Sequence, residues 1–202
     1  MSPSPVSFNV EEYFNEFADS SAMAEAARFK TVPTGSYQAQ VTKQEGRYFE
    51  LKTAKNGGEY WGPVFGEGSE AVNPTWRKGV QLTADISNGT SKKLSTIRIE
   101  ASWEAKRDPK NGKLDRLFNK WEQLTRALYP NLKPEERAQK SSGDVLTAVS
   151  QYPVKVYITE SFQVPAMDGS NKWVTPTTED ELKTYREAGY KVANFTQNIS
   201  KV

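Results

Sequence analysis

Residues 113–129, KLDRLFNKWEQLTRALY, are the clearest helical segment in the sequence. Apolar side chains recur along it at spacings of three and four, which places them on one stripe of a helix. Pro130 follows at once and ends the segment. We expect the stripe to lie in the core rather than in a binding site. Its members are Leu114, Leu117, Phe118, Trp121, Leu124 and Leu128.

Four segments before this helix alternate apolar and polar residues, which predicts four strands. The first two flank Glu45-Gly46 and predict a hairpin, and the last two flank Asn88-Gly89, a strong turn signal. A long irregular segment, residues 55–79, separates the two pairs. The four segments are SYQAQVTK (36–43), RYFELKTA (47–54), GVQLTADIS (79–87) and KKLSTIRIEASW (92–103).

After the helix the pattern predicts a weaker helical stretch over 134–150 and two further strands. The strands are PVKVYITESFQV (153–164) and KVANFTQNIS (191–200), and Thr178 is a candidate cap of a short helix between them. At the other end of the chain, residues 9–27 predict a helix that Asn9 caps.

The order of four strands, a helical insert over 113–150 and two strands suits a mainly β protein. It favours a barrel of five to six strands of the oligonucleotide-binding (OB) type, in which a helix precedes the last two strands. We expect an acidic helical arm over 1–30 and a single OB-like domain over 31–202. A plain α+β sandwich is the alternative.

Composition argues against catalysis. The 202 residues include neither cysteine nor histidine, so thiolate chemistry and the commonest metal ligand and general base are missing. The adjacent acids Glu11-Glu12, Glu135-Glu136 and Glu179-Asp180-Glu181 suit first turns of helices better than a metal site. We therefore expect no enzyme, no cofactor and no metal. Without a signal sequence or an apolar span, the chain is expected to be cytoplasmic and away from membranes.

Charge is unevenly distributed along the chain, although the net charge is only +2. Residues 1–27 carry five acidic residues and no lysine or arginine. The other residues carry 27 basic and 20 acidic residues, which gives +7. Such a body suits an anionic partner, and an ordinary solvated surface is the alternative.

The segment KNGGEYWGPVFGEG (55–68) carries aromatic residues among five glycines, with neither strand nor helix spacing. Its glycine pattern is not followed by a helix, so it is not a dinucleotide-binding turn. Rings interleaved with lysine and arginine are typical of surfaces that stack bases and neutralise phosphates of single strands. Folding of Trp61 and Phe65 back onto the barrel end is the alternative. The candidate contact residues are Tyr48, Lys52, Lys55, Tyr60, Trp61, Phe65, Trp76, Arg77, Lys78 and Arg98.

The overall layout resembles the single-stranded-DNA-binding proteins of tailed bacteriophages, which are diverged OB barrels. The resemblance covers most of residues 30–200. It rests on VPTGSYQAQV (32–41), KLDRLFNKWEQLTRALYP (113–130), YPVKVYITESF (152–162) and NFTQNIS (194–200). One departure is the ending NISKV, because many such proteins end in an acidic tail that recruits partners.

The resemblance implies a protein that coats single-stranded DNA during phage replication or recombination. The host cytoplasm would be its location, and replication or recombination proteins would be its partners. We expect the sugar–phosphate chain to cross Tyr48, Lys52 and Arg98, with the 55–78 segment folding over it. Two alternatives stay open: a phage assembly protein whose aromatic segment contacts neighbouring subunits, and a glycan-binding module with Trp61 and Trp76 as its platform. Self-association is also left open.

Overall fold

The computed structural model describes residues 4–20, 35–54, 57–66, 72–89, 93–108, 111–167 and 169–202. Strands dominate these ranges, so the predicted mainly β class is confirmed. The strands are β1 (Ser4–Pro5), β2 (Ser7–Phe8), β3 (Ser36–Thr53), β4 (Glu59–Pro63), β5 (Phe65–Gly66), β6 (Arg77–Ser87), β7 (Ser95–Ala101), β8 (Val154–Pro165), β9 (Asn171–Val174) and β10 (Lys191–Lys201). The helices are α1 (Arg116–Leu128), α2 (Pro134–Arg137), α3 (Ser142–Gln151) and α4 (Glu179–Glu187), with a 3₁₀ turn over Val10–Tyr13.

Eight of these strands form one antiparallel sheet. Its main order is β10-β8-β3-β6-β7, while β2 and β4 also pair with β3 and β9 pairs with β8. The two remaining strands, β1 and β5, pair with each other. In the described part of the chain β7 and β10 stand at the two ends of the order, so the sheet is open. The barrel and the OB fold therefore remain proposals.

The first predicted hairpin is wrong, because both of its segments belong to the single long strand β3. Gly46 lies inside this strand rather than in a turn. A Cβ atom at Gly46 would sit 2.4 Å from the backbone oxygen of Phe8, so the glycine allows β2 to approach β3 closely. A register shift between Val41 and Lys43 marks a bulge, which changes the phase of the alternating pattern.

Alternation correctly predicts the buried faces of β6 and β7. The apolar residues of both strands are buried and face the helices; they are Val80, Leu82, Ala84, Ile86, Ile97, Ile99 and Ala101. Trp103 and Trp121 are both buried as predicted and meet edge to face, with ring centroids 5.5 Å apart. The central helix thus packs its predicted stripe on one face of the sheet.

The other helices begin at residues that cap them locally. The predicted stretch 134–150 divides into α2 and α3, and Arg137 of α2 pairs with the buried Glu122 of α1 at 3.1 Å. The hydroxyl of Thr178 accepts a hydrogen bond from the Glu181 amide, which confirms the predicted cap of α4. Among the residues described, each helix is too short or too polar to cross a lipid bilayer.

The predicted helix over 9–27 is wrong over residues 14–19, which are not helical; Ser20 is helical, and residues 21–27 lie outside the described ranges. Asn9 caps a turn as predicted, but the turn ends at Tyr13. The chain then runs along α3, where the Ser142 amide donates to the Glu16 carbonyl at 2.7 Å. The Glu16 carboxylate accepts from Trp103 Nε1 at 2.6 Å and pairs with Lys78. This segment is therefore part of the packed body.

We predict that Glu16→Ala lowers the free energy of unfolding by about 1–3 kcal/mol, because the buried indole N–H of Trp103 loses its acceptor. Glu12→Ala is the matched control, since it removes the same charge from an exposed position. We expect the control to change stability by less than about 0.5 kcal/mol. Urea denaturation followed by circular dichroism measures both; equal effects would show that Glu16 is not a structural contact.

Candidate nucleic-acid interface

The structure divides the candidate contact residues into three sets, apart from Arg98, which lies on β7, and Lys55, which lies outside the described residues. The first set, Tyr48 and Trp76, belongs to a small apolar cluster. Tyr48 is only 6% exposed and packs with Val6 and Val64, and its ring centroid lies 5.9 Å from that of Trp76. Burial raises the pKa of the Tyr48 hydroxyl. Our prediction that Tyr48 presents an exposed ring is therefore wrong, because strand β2 and Val64 cover it.

The second set, Arg77 and Lys78, is already engaged inside the protein. The Arg77 side chain is 0% exposed, pairs with Asp115 at 2.6 Å and donates to the Glu104 carbonyl. Burial lowers the pKa of Arg77, and the nearby Asp115 opposes that shift. Lys78 pairs with Glu16 and lies 4.4 Å from the centre of the Tyr13 ring. Neither cation is free for a phosphate in this structure, which contradicts the predicted contacts.

The third set lies on the hairpin of β3 and β4 and on β5, which follows it, where an irregular loop was predicted. Lys52 reaches across it, donating to the Pro63 carbonyl at 2.7 Å and lying 4.9 Å from the centre of the Phe65 ring. A Cβ at Gly62 would approach Lys52 and Tyr60 within 3.0 Å, so this glycine gives both side chains room. Tyr60 remains 50% exposed, and Phe65 is similarly exposed. The hairpin thus presents rings at its surface.

A groove of about 540 Å³ separates this hairpin from the segment that leads into α1. Leu51, Tyr60 and Trp61 line one side of this hairpin groove. Arg107, Lys113 and Arg116 line the other side, and three acidic residues, Glu59, Asp108 and Asp115, also line this groove. Rings and cations therefore face one another across a space that is open to solvent, in a lining that also carries acidic groups.

The buried ion pair of Arg77 supports both walls of the hairpin groove. The Arg77 guanidinium lies 5.4 Å from the centre of the Trp61 ring, within the range of a cation–π interaction. Its partner Asp115 caps α1 by accepting from the amides of Leu117 and Phe118. Arg77 thereby fixes the position of Trp61 relative to the first turn of α1, which carries Arg116.

A second groove, of about 670 Å³, shares the lining residue Arg116 with the first. This strand groove lies between β7, α1 and β10, and Arg116 lines both grooves. Its other lining residues are Thr96, Ile97, Arg98, Ile99, Glu100, Lys120, Phe195 and Thr196. The Phe195 ring stands edge to face with Trp173, at 5.8 Å between centroids. Trp173 is partly exposed, so aromatic surface lies at both ends of the connected grooves.

The basic side chains of the strand groove differ in how many ion pairs and hydrogen bonds they form within the protein. Arg98 is exposed, and its guanidinium forms no ion pair with the described residues. Arg116 is 68% exposed, with its nearest acidic atom, Glu100 Oε2, at 3.7 Å. Burial lowers the pKa of Lys120 to about 7, and its ammonium donates to the Gln197 carbonyl at 2.5 Å. Two arginines thus retain donors that an anion could take.

The sequence pattern identifies Arg98, Tyr60 and Trp61 as groove residues but does not identify Lys113, Arg116 and Phe195. Lys113 and Arg116 were treated as part of a core helix, although both lie off its apolar stripe. Because basic residues outside an apolar stripe face solvent, their positions in the sequence could have indicated a surface role. Phe195 lies on a segment that was predicted only as a strand, and the packing of β10 shows that it lines a groove.

No cluster of three or more acidic residues that could hold a metal ion occurs among the described residues. Comparisons of the chain with known protein families, curated proteins and solved structures give no match. The resemblance to phage single-stranded-DNA-binding proteins therefore stays a prediction from the layout of the sequence.

We predict that alanine substitution has very different effects on stability at Arg77 and at Arg98, two arginines that the sequence alone does not distinguish. Arg77→Ala should lower the free energy of unfolding by about 3–5 kcal/mol, because Asp115 would be left as an uncompensated buried charge. Arg98→Ala, at an exposed position, should change it by less than about 0.5 kcal/mol. Chemical denaturation of both variants tests the assignment, which fails if Arg98→Ala is as destabilising as Arg77→Ala.

Proposed function

We propose that this protein binds single-stranded DNA, with little sequence preference, along the hairpin groove and the strand groove. One observation carries the proposal: aromatic rings and arginines that keep free donors line two grooves that share Arg116. Tyr60 lines the hairpin groove and Phe195 lines the strand groove.

The chemistry of this surface matches the two parts of a nucleotide. Every base has a π-face, so a ring such as Tyr60 accepts any base without reading it. Each phosphate carries one charge, and an arginine presents several donors in a planar fork that fits phosphate oxygens. Lys113, Arg116 and Arg98 supply cations on the path between the rings. Binding of this kind involves no reaction, which agrees with the absence of histidine and cysteine from the sequence.

The location of the surface differs from the one the sequence indicated. The path no longer crosses Tyr48, Arg77 or Lys78, and it uses α1 and β10 where the sequence predicted that the 55–78 segment covers the DNA. The two alternative functions depend on the same rings. A glycan platform of Trp61 and Trp76 is weakened because Trp76 packs against Tyr48 while Trp61 lines the hairpin groove. A role in coating phage DNA follows from the resemblance and from this surface together.

We predict that Tyr60→Ala weakens binding to a thymine oligonucleotide by roughly tenfold or more, since loss of a base–aromatic stack costs about 1–3 kcal/mol. The ring is half exposed, so thermal stability should hardly change. Tyr152→Ala is the matched control, because it removes an exposed tyrosine from the end of α3, away from both grooves. Fluorescence anisotropy of a labelled oligonucleotide measures the affinities; identical losses for the two variants would contradict the proposal.

Salt dependence provides a second prediction. The slope of log affinity against log salt concentration should be negative, at about −0.7 for each phosphate neutralised on a single strand. Arg116→Ala should make that slope shallower by about 0.7. Lys183→Ala removes an equal charge from the exposed face of α4 and should leave the slope unchanged. Affinity that does not depend on salt, or no binding at low salt, would overturn the proposal and favour self-association or a glycan.

A further inference from the structure

Glu100 is an unexpected residue on a surface that faces an anionic polymer. It lies on β7 beside Arg98, lines the strand groove and is only partly exposed. A carboxylate at this position repels phosphates. If the groove binds a nucleotide, Glu100 must therefore meet a part of it other than the phosphate.

The carboxylate of Glu100 has unused acceptor capacity. It accepts no hydrogen bond from the described side chains, and its nearest cation, Arg116, is 3.7 Å away, beyond hydrogen-bonding distance. Burial raises the pKa of Glu100, while Arg116, Arg98 and Arg47 act in the opposite direction. An ionised carboxylate is an acceptor only, with room for two parallel N–H donors. A ligand that brings paired donors would satisfy it.

The strand groove offers the other contacts that a single nucleotide requires. Phe195 provides a ring for stacking, and Arg98 provides an unpaired guanidinium for a phosphate. The volume of about 670 Å³ lies within the roughly 300–1,000 Å³ of small-molecule sites. In single strands the Watson–Crick edge of a base is free to be read in this way.

Among the four bases, guanine presents two adjacent donors on that edge, N1–H and the 2-amino group. Thymine presents one donor between two carbonyl oxygens, which a carboxylate repels. We propose that the strand groove is a nucleotide subsite in which Glu100 accepts both donors of a guanine while its base lies against Phe195. This inference rests on the proposed function and adds a preference for guanine at one position of an otherwise unselective path.

The competing explanation is that Glu100 only orients Arg116. The two explanations predict different affinities across oligonucleotides of different base composition, because a residue that only orients Arg116 affects the binding of every oligonucleotide equally. Three oligonucleotides of the same length separate them: thymine only, thymine with isolated guanines, and the same sequence with hypoxanthine in place of guanine. Hypoxanthine lacks only the 2-amino group, so it keeps one of the two hydrogen bonds.

We expect the guanine oligonucleotide to bind roughly tenfold more tightly than the thymine one, with hypoxanthine between them, as expected for charge-assisted hydrogen bonds. Glu100→Gln should abolish this preference, because one acceptor oxygen becomes an amide donor that opposes a donor of the guanine edge. Glu187→Gln, which removes the same charge from the exposed end of α4, should retain the full preference. Fluorescence anisotropy at one fixed salt concentration gives all of these affinities.

The outcomes distinguish this inference from the function on which it rests. Equal affinity of the wild-type protein for all three oligonucleotides overturns the guanine subsite and leaves single-strand binding intact. A uniform loss in Glu100→Gln, with the preference retained, also overturns the subsite and makes Glu100 a positioning residue for Arg116. No binding to any of the three overturns the proposed function itself.

Discussion

The buried ion pair between Arg77 and Asp115 connects the parts on which the proposed surface depends. Arg77 begins β6, and Asp115 begins α1 as its N-cap. A charge that is removed from water is stable only when it is paired, so this contact determines how the sheet meets the central helix. The Trp61 ring packs on the same guanidinium. One residue therefore links the hairpin, the sheet and the helix that carries Arg116.

The elements that the sequence predicts correctly are those with local signals. The stripe of α1 repeats over four turns, and β6 and β7 alternate without interruption, so each pattern can be read without knowledge of its partners. The caps at Asn9 and Thr178 are local as well. These features depend on side chains a few residues apart, and the structure confirms them.

The errors concern contacts between residues that are distant in the sequence. Gly46 was interpreted as a turn, but the glycine is required by the backbone of Phe8, which lies 38 positions earlier. Tyr48 was assigned to an exposed face because the strand that covers it was not predicted. Arg77 and Lys78 are adjacent cations in the sequence, and only tertiary contacts show that acidic residues already neutralise them. A count of basic residues therefore overestimates the charge that is free to bind an anion.

The contacts of α1 with β10 also bear on the behaviour of the protein at high concentration. The Gln123 side chain accepts from the Ile199 amide at 3.1 Å, and Lys120 donates to the Gln197 carbonyl. These two side chains occupy backbone groups that a strand of another molecule would otherwise use. Exposed strand edges act as templates for aggregation. The helix that forms one wall of the strand groove thus also protects this part of the sheet edge from intermolecular β-pairing.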